Sequence, residues 1–239
     1  MAPVLIVKTG TTVPDVARRR RDFESWIASA MGLSDAQVQT RRVYDGDTLP
    51  DARAIRGVVV TGSSAMVTDR EAWSERTAEW LADAVGAGVP VLGICYGHQL
   101  LAHALGGKVE NNPHGRHIGT VDVRLTDGAH ADPLFGGFDP VLHVPVSHRQ
   151  SVTALPPGAR LLAIAERDPL HAFAIGDRAW GVQFHPEFDA DIVRGYIDAR
   201  REQLLLEGLD ADALWQRATD TRHGRDLLER FARLVRDGE

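Results

Sequence analysis

Short apolar bursts alternate with stretches of helical spacing through the first half of the chain. Val4, Leu5, Ile6 and Val7 make a first strand, and Phe23, Trp26, Ile27, Ala30 and Met31 then recur on one helix face. Residues 38–44 read as a second strand closed by Asp45 and Gly46, and Val58, Val59 and Val60 as a third. That third run is wholly apolar, as expected of a strand covered on both faces. Trp73, Trp80, Leu81, Ala84 and Val85 fit a helix ending at 86–88. Residues 89–101 give a buried strand, a sharp turn at Cys95 and a helix that reaches Leu105 and stops at Gly106 and Gly107. This β-α-β-α order predicts a parallel sheet with helices on both faces.

The second half changes character. Residues 121–125, 141–146, 161–165, 172–175 and 180–184 are short strand patterns separated by Gly, Pro and Asp turns, which predicts an antiparallel or mixed extension of the sheet. From Asp189 to Arg236 two helical patterns appear, broken near Gly208. Ile192, Val193, Tyr196 and Ile197 begin the first, and Leu214, Trp215, Leu227, Leu228, Phe231 and Leu234 belong to the second. The expectation is a doubly wound α/β domain over residues 1–195 with a mostly parallel central sheet. A C-terminal helical extension, 196–239, packs on the same domain.

Composition narrows the function. A hydrophobic content of 44% and a charged content of 25% are those of an ordinary globular protein. The net charge of −6 argues against a nucleic-acid backbone as main partner. The one dense basic run, Arg18 to Arg21, lies on a predicted helix beginning near Asp15 and reads as a solvated helical face. A single cysteine makes no internal disulfide, and the first apolar run is too short for a signal peptide or a membrane span. These features predict a cytoplasmic enzyme with neither a membrane nor a nucleic-acid partner.

The single cysteine sits where it matters most. Gly93-Ile94-Cys95-Tyr96-Gly97 is a Gly-x-Cys-x-Gly elbow between a strand and a helix, the sulfur form of a nucleophile elbow. The glycines let backbone segments approach closely, and the following helix aims free N–H groups at the sulfur, favouring thiolate. Thiol chemistry also needs a base and a group to orient it. Residues 180–187 supply both, because His185 and Glu187, two apart in an extended chain, share a face. His98 and His103 are five apart on a helix, which is poor spacing for a metal, and the phosphate-cradle motif is absent. No metal and no cofactor is expected.

Gly-Ile-Cys-Tyr-Gly-His-Gln at 93–99 and Gly-Val-Gln-Phe-His-Pro-Glu at 181–187 closely resemble the hallmarks of class I glutamine amidotransferases. The resemblance covers roughly residues 1–195 and is nearest the glutaminase portion of guanosine monophosphate synthetase. It implies a flavodoxin-like fold and a Cys95, His185, Glu187 triad that cleaves the γ-carboxamide of glutamine through a γ-glutamyl thioester. It also implies an oxyanion hole from the backbone N–H groups of Tyr96 and of Ser63 or Gly62, with Ser63 favoured. Gln99, Ser147 and His148 match positions that contact the substrate.

Three stretches depart from the family pattern. Gly62-Ser63-Ser64 replaces Gly-Gly-Pro, Arg149-Gln150-Ser151 replaces Gly-Asp-Lys, and His117 stands where an acid is usual. Arg149 can grip a carboxylate or face solvent. These changes bear on glutamine selectivity more than on thiol chemistry. Only 52 residues follow Glu187, room for two helices but not for an ATP-using acceptor module. The expectation is therefore either a separate synthetase subunit that receives the ammonia or a free-standing hydrolase. The same triad also serves a γ-glutamyl peptidase acting on γ-glutamyl peptides or conjugates, and a silent binding or regulatory module is the third reading.

Overall fold

The computed structural model describes residues 2–237. Strands β1 (Val4–Lys8), β2 (Val38–Arg42), β3 (Gly57–Val60) and β4 (Val91–Ile94) run parallel in the order β2-β1-β3-β4. Strand β11 (Ala179–Val182) joins the far side of β4 in the same direction. Beyond it, β10 (Asp168–Ile175), β9 (Arg160–Ala165), β6 (His117–Leu125) and β7 (Val141–His148) continue the sheet antiparallel. Among the described residues this gives one nine-stranded mixed sheet.

Alternation along the strands explains the two layers of helix. Val4 and Ile6 bury into one apolar cluster, while Leu5 and Val7 bury into another on the opposite face. The first cluster is covered by α1 (Pro14–Arg20), α2 (Phe23–Ala30), α5 (Ala190–Ala199) and α8 (His223–Asp237), the second by α3 (Ala72–Gly86) and α4 (Tyr96–Ala104). The parallel order 2-1-3-4 followed by β11 is that of a flavodoxin-like sheet, in which ligands bind beyond the carboxyl ends of the strands.

Several boundaries differ from the sequence expectation. β2 stops at Arg42 rather than Tyr44: on this half-exposed edge strand Val43 turns inward in a single 3₁₀ turn, and Gly46 adopts a φ of 95°. The last strand ends at Val182, not Phe184. There the Gln183 amide donates to the His171 carbonyl and the His185 amide to the Pro145 carbonyl, each at 2.8 Å. That departure carries His185 off the sheet edge. A ribbon of β5 (Lys108–Asn111) with β8 (Gln150–Ala154) has no counterpart in the expectation, since β5 is mostly exposed and β8 buries the polar Gln150 and Ser151, so neither shows apolar alternation.

The two C-terminal helical patterns resolve into α5, α6 (Arg201–Leu206), α7 (Ala211–Arg217) and α8. Position 195/196 falls inside α5, and Leu227, Leu228 and Phe231 of α8 share the apolar cluster of Trp180 on β11. The basic run at 18–21 is largely solvated, with Arg18, Arg19 and Arg21 exposed and Arg20 half-buried, but it also makes ion pairs across to α5. Arg19 and Arg20 pair with Asp191, Arg20 at 2.8 Å, and Arg20 also pairs with Asp189 at the start of α5. Among the described residues no helix is long and apolar enough to cross a membrane.

Candidate active site

The end of β4 is strained as an elbow requires. Cys95 takes φ 52° and ψ −100°, in the left-handed half of backbone space that side chains rarely occupy. Its N–H donates to the Val182 carbonyl at 2.8 Å, locking the turn to β11. A Cβ on Gly97 would lie 2.5 Å from the Val60 carbonyl oxygen, and one on Gly93 would collide with the backbone of Gly97. Both glycines thus allow strand and helix to close on each other. The Tyr96 N–H, first in α4, has no protein acceptor among the described residues, as helix geometry dictates.

His185 and Glu187 lie beside this elbow. The imidazole Nδ1 is 2.8 Å from Glu187 Oε1, and both side chains are almost fully buried. Burial disfavours the imidazolium, but the charges of Glu187 and of the Cys95 thiolate, with hydrogen bonds to both, outweigh it. The pKa of His185 is therefore held well above its ordinary value. The ring is fixed by Phe188, stacked at 4.0 Å between centroids, with Phe23 at 6.2 Å. Glycine at 62 is needed on this side too, since a Cβ there would come within 2.8 Å of His185 Cε1.

A cavity of about 210 Å³ opens at the sulfur. Of the residues singled out in the sequence, Cys95, Tyr96, Ser63, Gln99, Ser147 and His148 line it. Gly62 is not in its wall; it packs behind, against His185. The Ser63 hydroxyl donates to the Thr9 carbonyl at 2.8 Å and accepts from the Ala65 amide at 3.1 Å, which fixes the loop after β3. The Cys95 sulfur is 3.8 Å from the Ser147 carbonyl oxygen. Gln99 donates its amide to the Gln150 carbonyl and to Gln183 Oε1, at 2.7 and 2.9 Å, leaving its own Oε1 as the unused amide atom. His148 has its ring turned partly away from the cavity, with Nε2 3.1 Å from buried Asp168.

Sequence reasoning missed two parts of this wall. Arg200, between α5 and α6, lines the cavity. Arg116 does as well, held by Glu207 through Nε at 2.8 Å and Nη2 at 3.2 Å. No local motif marks either residue, because both arrive through the packing of the C-terminal helices. Phe188 was within reach, lying directly after the His-Pro-Glu segment.

A cysteine elbow above the carboxyl ends of a doubly wound parallel sheet defines the class of this fold and site. The chain belongs to the class I glutamine amidotransferase family, whose model, "Glutamine amidotransferase class-I", matches residues 20–192. GMP synthase [glutamine-hydrolyzing] of Shewanella amazonensis is 36% identical over 249 aligned residues, covering 99% of this chain and 42% of that protein. The enzyme of the same name from Thermus thermophilus is 47% identical over 102 residues, 42% of this chain and 19% of its own length. The chain thus spans less than half the length of these relatives. Among solved structures, a glutamine amido transferase from Methylobacillus flagellatus superposes with a TM-score of 0.76 at 25% identity, covering 99% of this chain and 95% of its own.

Proposed function

We propose that the protein is a thiol amidohydrolase of glutamine, releasing glutamate and ammonia. The observation that carries this reading is the strained Cys95 elbow beside a buried His185–Glu187 pair 2.8 Å apart. The Cys95 thiolate attacks the γ-carbonyl carbon, and the carbonyl π pair moves onto oxygen. The N–H groups of Tyr96 and Ser63 stabilise that oxyanion, a donor of this kind contributing about 3 kcal/mol. Imidazolium His185 gives its Nε2 proton to the amide nitrogen, the C–N bond breaks and ammonia leaves. A water then attacks the γ-glutamyl thioester while His185 takes its proton, and the C–S bond breaks to return the thiolate. Glu187 keeps Nδ1 protonated and stabilises the imidazolium throughout.

The similarity to glutamine-hydrolyzing GMP synthases supports glutamine as substrate and an ammonia-consuming synthetase as acceptor. The test is acyl-enzyme mass spectrometry with an ammonia assay on wild type and Cys95→Ala. Glutamine should leave a glutamyl adduct on Cys95, and the variant should release no ammonia above background. Ammonia release persisting in Cys95→Ala removes the nucleophile assignment. Turnover of γ-glutamyl peptides with none of glutamine replaces this reading by the peptidase one.

A further inference from the structure

One buried residue outside the cavity wall holds the loop that carries Ser63. Thr9, directly after β1, directs all of its polar atoms to residues 61–63. Its N–H donates to the Thr61 hydroxyl at 3.1 Å. Its own hydroxyl donates to the carbonyls of Thr61 and Gly62, at 3.0 and 3.1 Å. Its carbonyl accepts from the Ser63 hydroxyl at 2.8 Å. Gly10 leaves room for that contact, since a Cβ there would lie 2.7 Å from Ser63 Oγ. The Thr61 hydroxyl completes the set by donating to the Gly62 carbonyl at 3.0 Å. Both threonines are buried, so these hydroxyls have protein partners in place of water.

The bonds fix the direction of two peptide groups. In a trans peptide the N–H points opposite to the C=O. The carbonyls of Thr61 and Gly62 both face Thr9, so the N–H groups of Gly62 and Ser63 both face away from it. Neither N–H has a protein acceptor among the described residues. Successive N–H groups turned to one side make a concavity that suits an anion. Ser63 lines the cavity at Cys95 and Gly62 packs against His185, so the pair lies beside both the sulfur and the base.

We propose that Thr9 is the positioning residue of the oxyanion hole, its three polar groups together aiming the Ser63 N–H at the carbonyl oxygen under attack. Thr9 itself is not in the cavity wall and acts through the loop. The proposal rests on the thiol chemistry of the amidohydrolase reading, but not on glutamine as the acyl donor. It also gives Ser63 a use: a glycine there would keep the N–H and lose the bond to Thr9.

The test compares two reactions of Cys95, the only thiol, on wild type, Thr9→Val and Thr9→Ser. Acylation by p-nitrophenyl acetate forms a thioester, expels p-nitrophenolate and passes through an oxyanion. Alkylation by iodoacetamide forms a thioether, expels iodide and passes through none. The ratio of the two rates reads the oxyanion hole and cancels changes in thiolate content and access. Thr9→Val should lower that ratio roughly 10- to 100-fold, short of the roughly 100- to 1000-fold cost of losing a donor outright. Thr9→Ser should restore most of it. Ser63→Ala, at a half-buried position, removes a single bond and should lower the ratio by about 3- to 10-fold. That variant carries the test if Thr9→Val does not fold.

A ratio unchanged in Thr9→Val, or in Ser63→Ala where Thr9→Val does not fold, overturns the positioning role. Both rates falling together is such a case, because a damaged thiol or fold gives the same result. A wild-type ratio no higher than that of glutathione also overturns it, since no oxyanion is then being stabilised. Wild-type ammonia release from glutamine is scored separately. A ratio that falls in a protein releasing no ammonia keeps the positioning role and removes the amidohydrolase reading. Ammonia release with an unchanged ratio does the reverse.

Discussion

Acid should unfold this protein earlier than its composition suggests, because of four histidines gathered behind the catalytic elbow. His98 and His171 are wholly buried, His117 and His148 nearly so, and all surround Asp168. Burial holds the pKa of His98 and His117 down to about 4 and that of His171 to about 3, against an ordinary 6.5. Asp168, although burial opposes it, is held at about 2, chiefly by hydrogen bonding to His148 and also by the Ser151 hydroxyl that donates to it at 2.7 Å. The sign follows from proton linkage. The unfolded chain binds protons on His98, His117 and His171 below about pH 6.5 and the fold does not, so stability is present above that value and is lost as pH falls toward 4.

Lowering pH from 7 to 5 should cost about 2 kcal/mol for each of the three depressed histidines. The total of about 5–6 kcal/mol is comparable to the whole stability of a marginal domain. His185 works weakly the other way, because it is already protonated in the fold across this interval. The loss from Asp168 falls lower, between its ordinary 3.8 and about 2. Urea unfolding at half-unit steps of pH measures the slope, which should approach roughly 3–4 kcal/mol per unit near pH 5.5. His171→Leu keeps an apolar side chain against Phe184 and should remove about a third of the slope. A midpoint that stays constant from pH 7 to pH 5 would show that these histidines are not held neutral in the fold.

Two substitutions test the elbow and its base. Cys95→Gly should be inactive yet about 1–2 kcal/mol more stable than Cys95→Ala, because glycine carries no penalty at φ 52°; equal denaturation midpoints would refute the strain. Glu187→Gln keeps an oxygen for His185 Nδ1 but removes the buried charge. The imidazole pKa should fall by about 2–3 units and kcat/KM by at least about 100-fold, with folding retained. An unshifted His185 titration, followed by NMR, would contradict the electrostatic role given to Glu187.

The legible part of the fold is the part written in local pattern. The apolar runs of β1, β3 and β4 and the glycines flanking Cys95 are readable because burial on both faces and close backbone approach each permit few residue types. The motif around His185 is readable as a resemblance, but its geometry is not that of an extended chain: the strand ends at Val182, and a turn closed by the Phe188 N–H on the His185 carbonyl at 3.3 Å brings Glu187 onto the imidazole. The β5–β8 ribbon is not, because β5 is mostly exposed and β8 buries polar Gln150 and Ser151, so neither carries an apolar period. The basic run at 18–21 is solvated as its charge suggests, but the ion pairs of Arg20 are not legible, because Asp189 and Asp191 lie about 170 positions away.

The unreadable part of the site also has one origin. Arg200 and Glu207 come from the stretch beyond 195, Tyr196 of α5 positions the first, and Glu207 positions Arg116 from the loop before β6. Leu214 of α7 reaches to 3.4 Å of where a Cβ on Gly119 would stand, seating the helices on that same strand. In the proposed mechanism the sulfur, the base and the oxyanion donors come from strand ends and the loops beside them, while the C-terminal stretch adds Arg200 to the cavity wall and holds Arg116 there through Glu207. Those two contributions are held by different contacts and can vary separately. A change in the C-terminal stretch should therefore reshape the cavity wall at Arg200 and Arg116 without touching the elbow, so the motifs at 93–99 and 181–187 report on the sulfur end of the cavity alone.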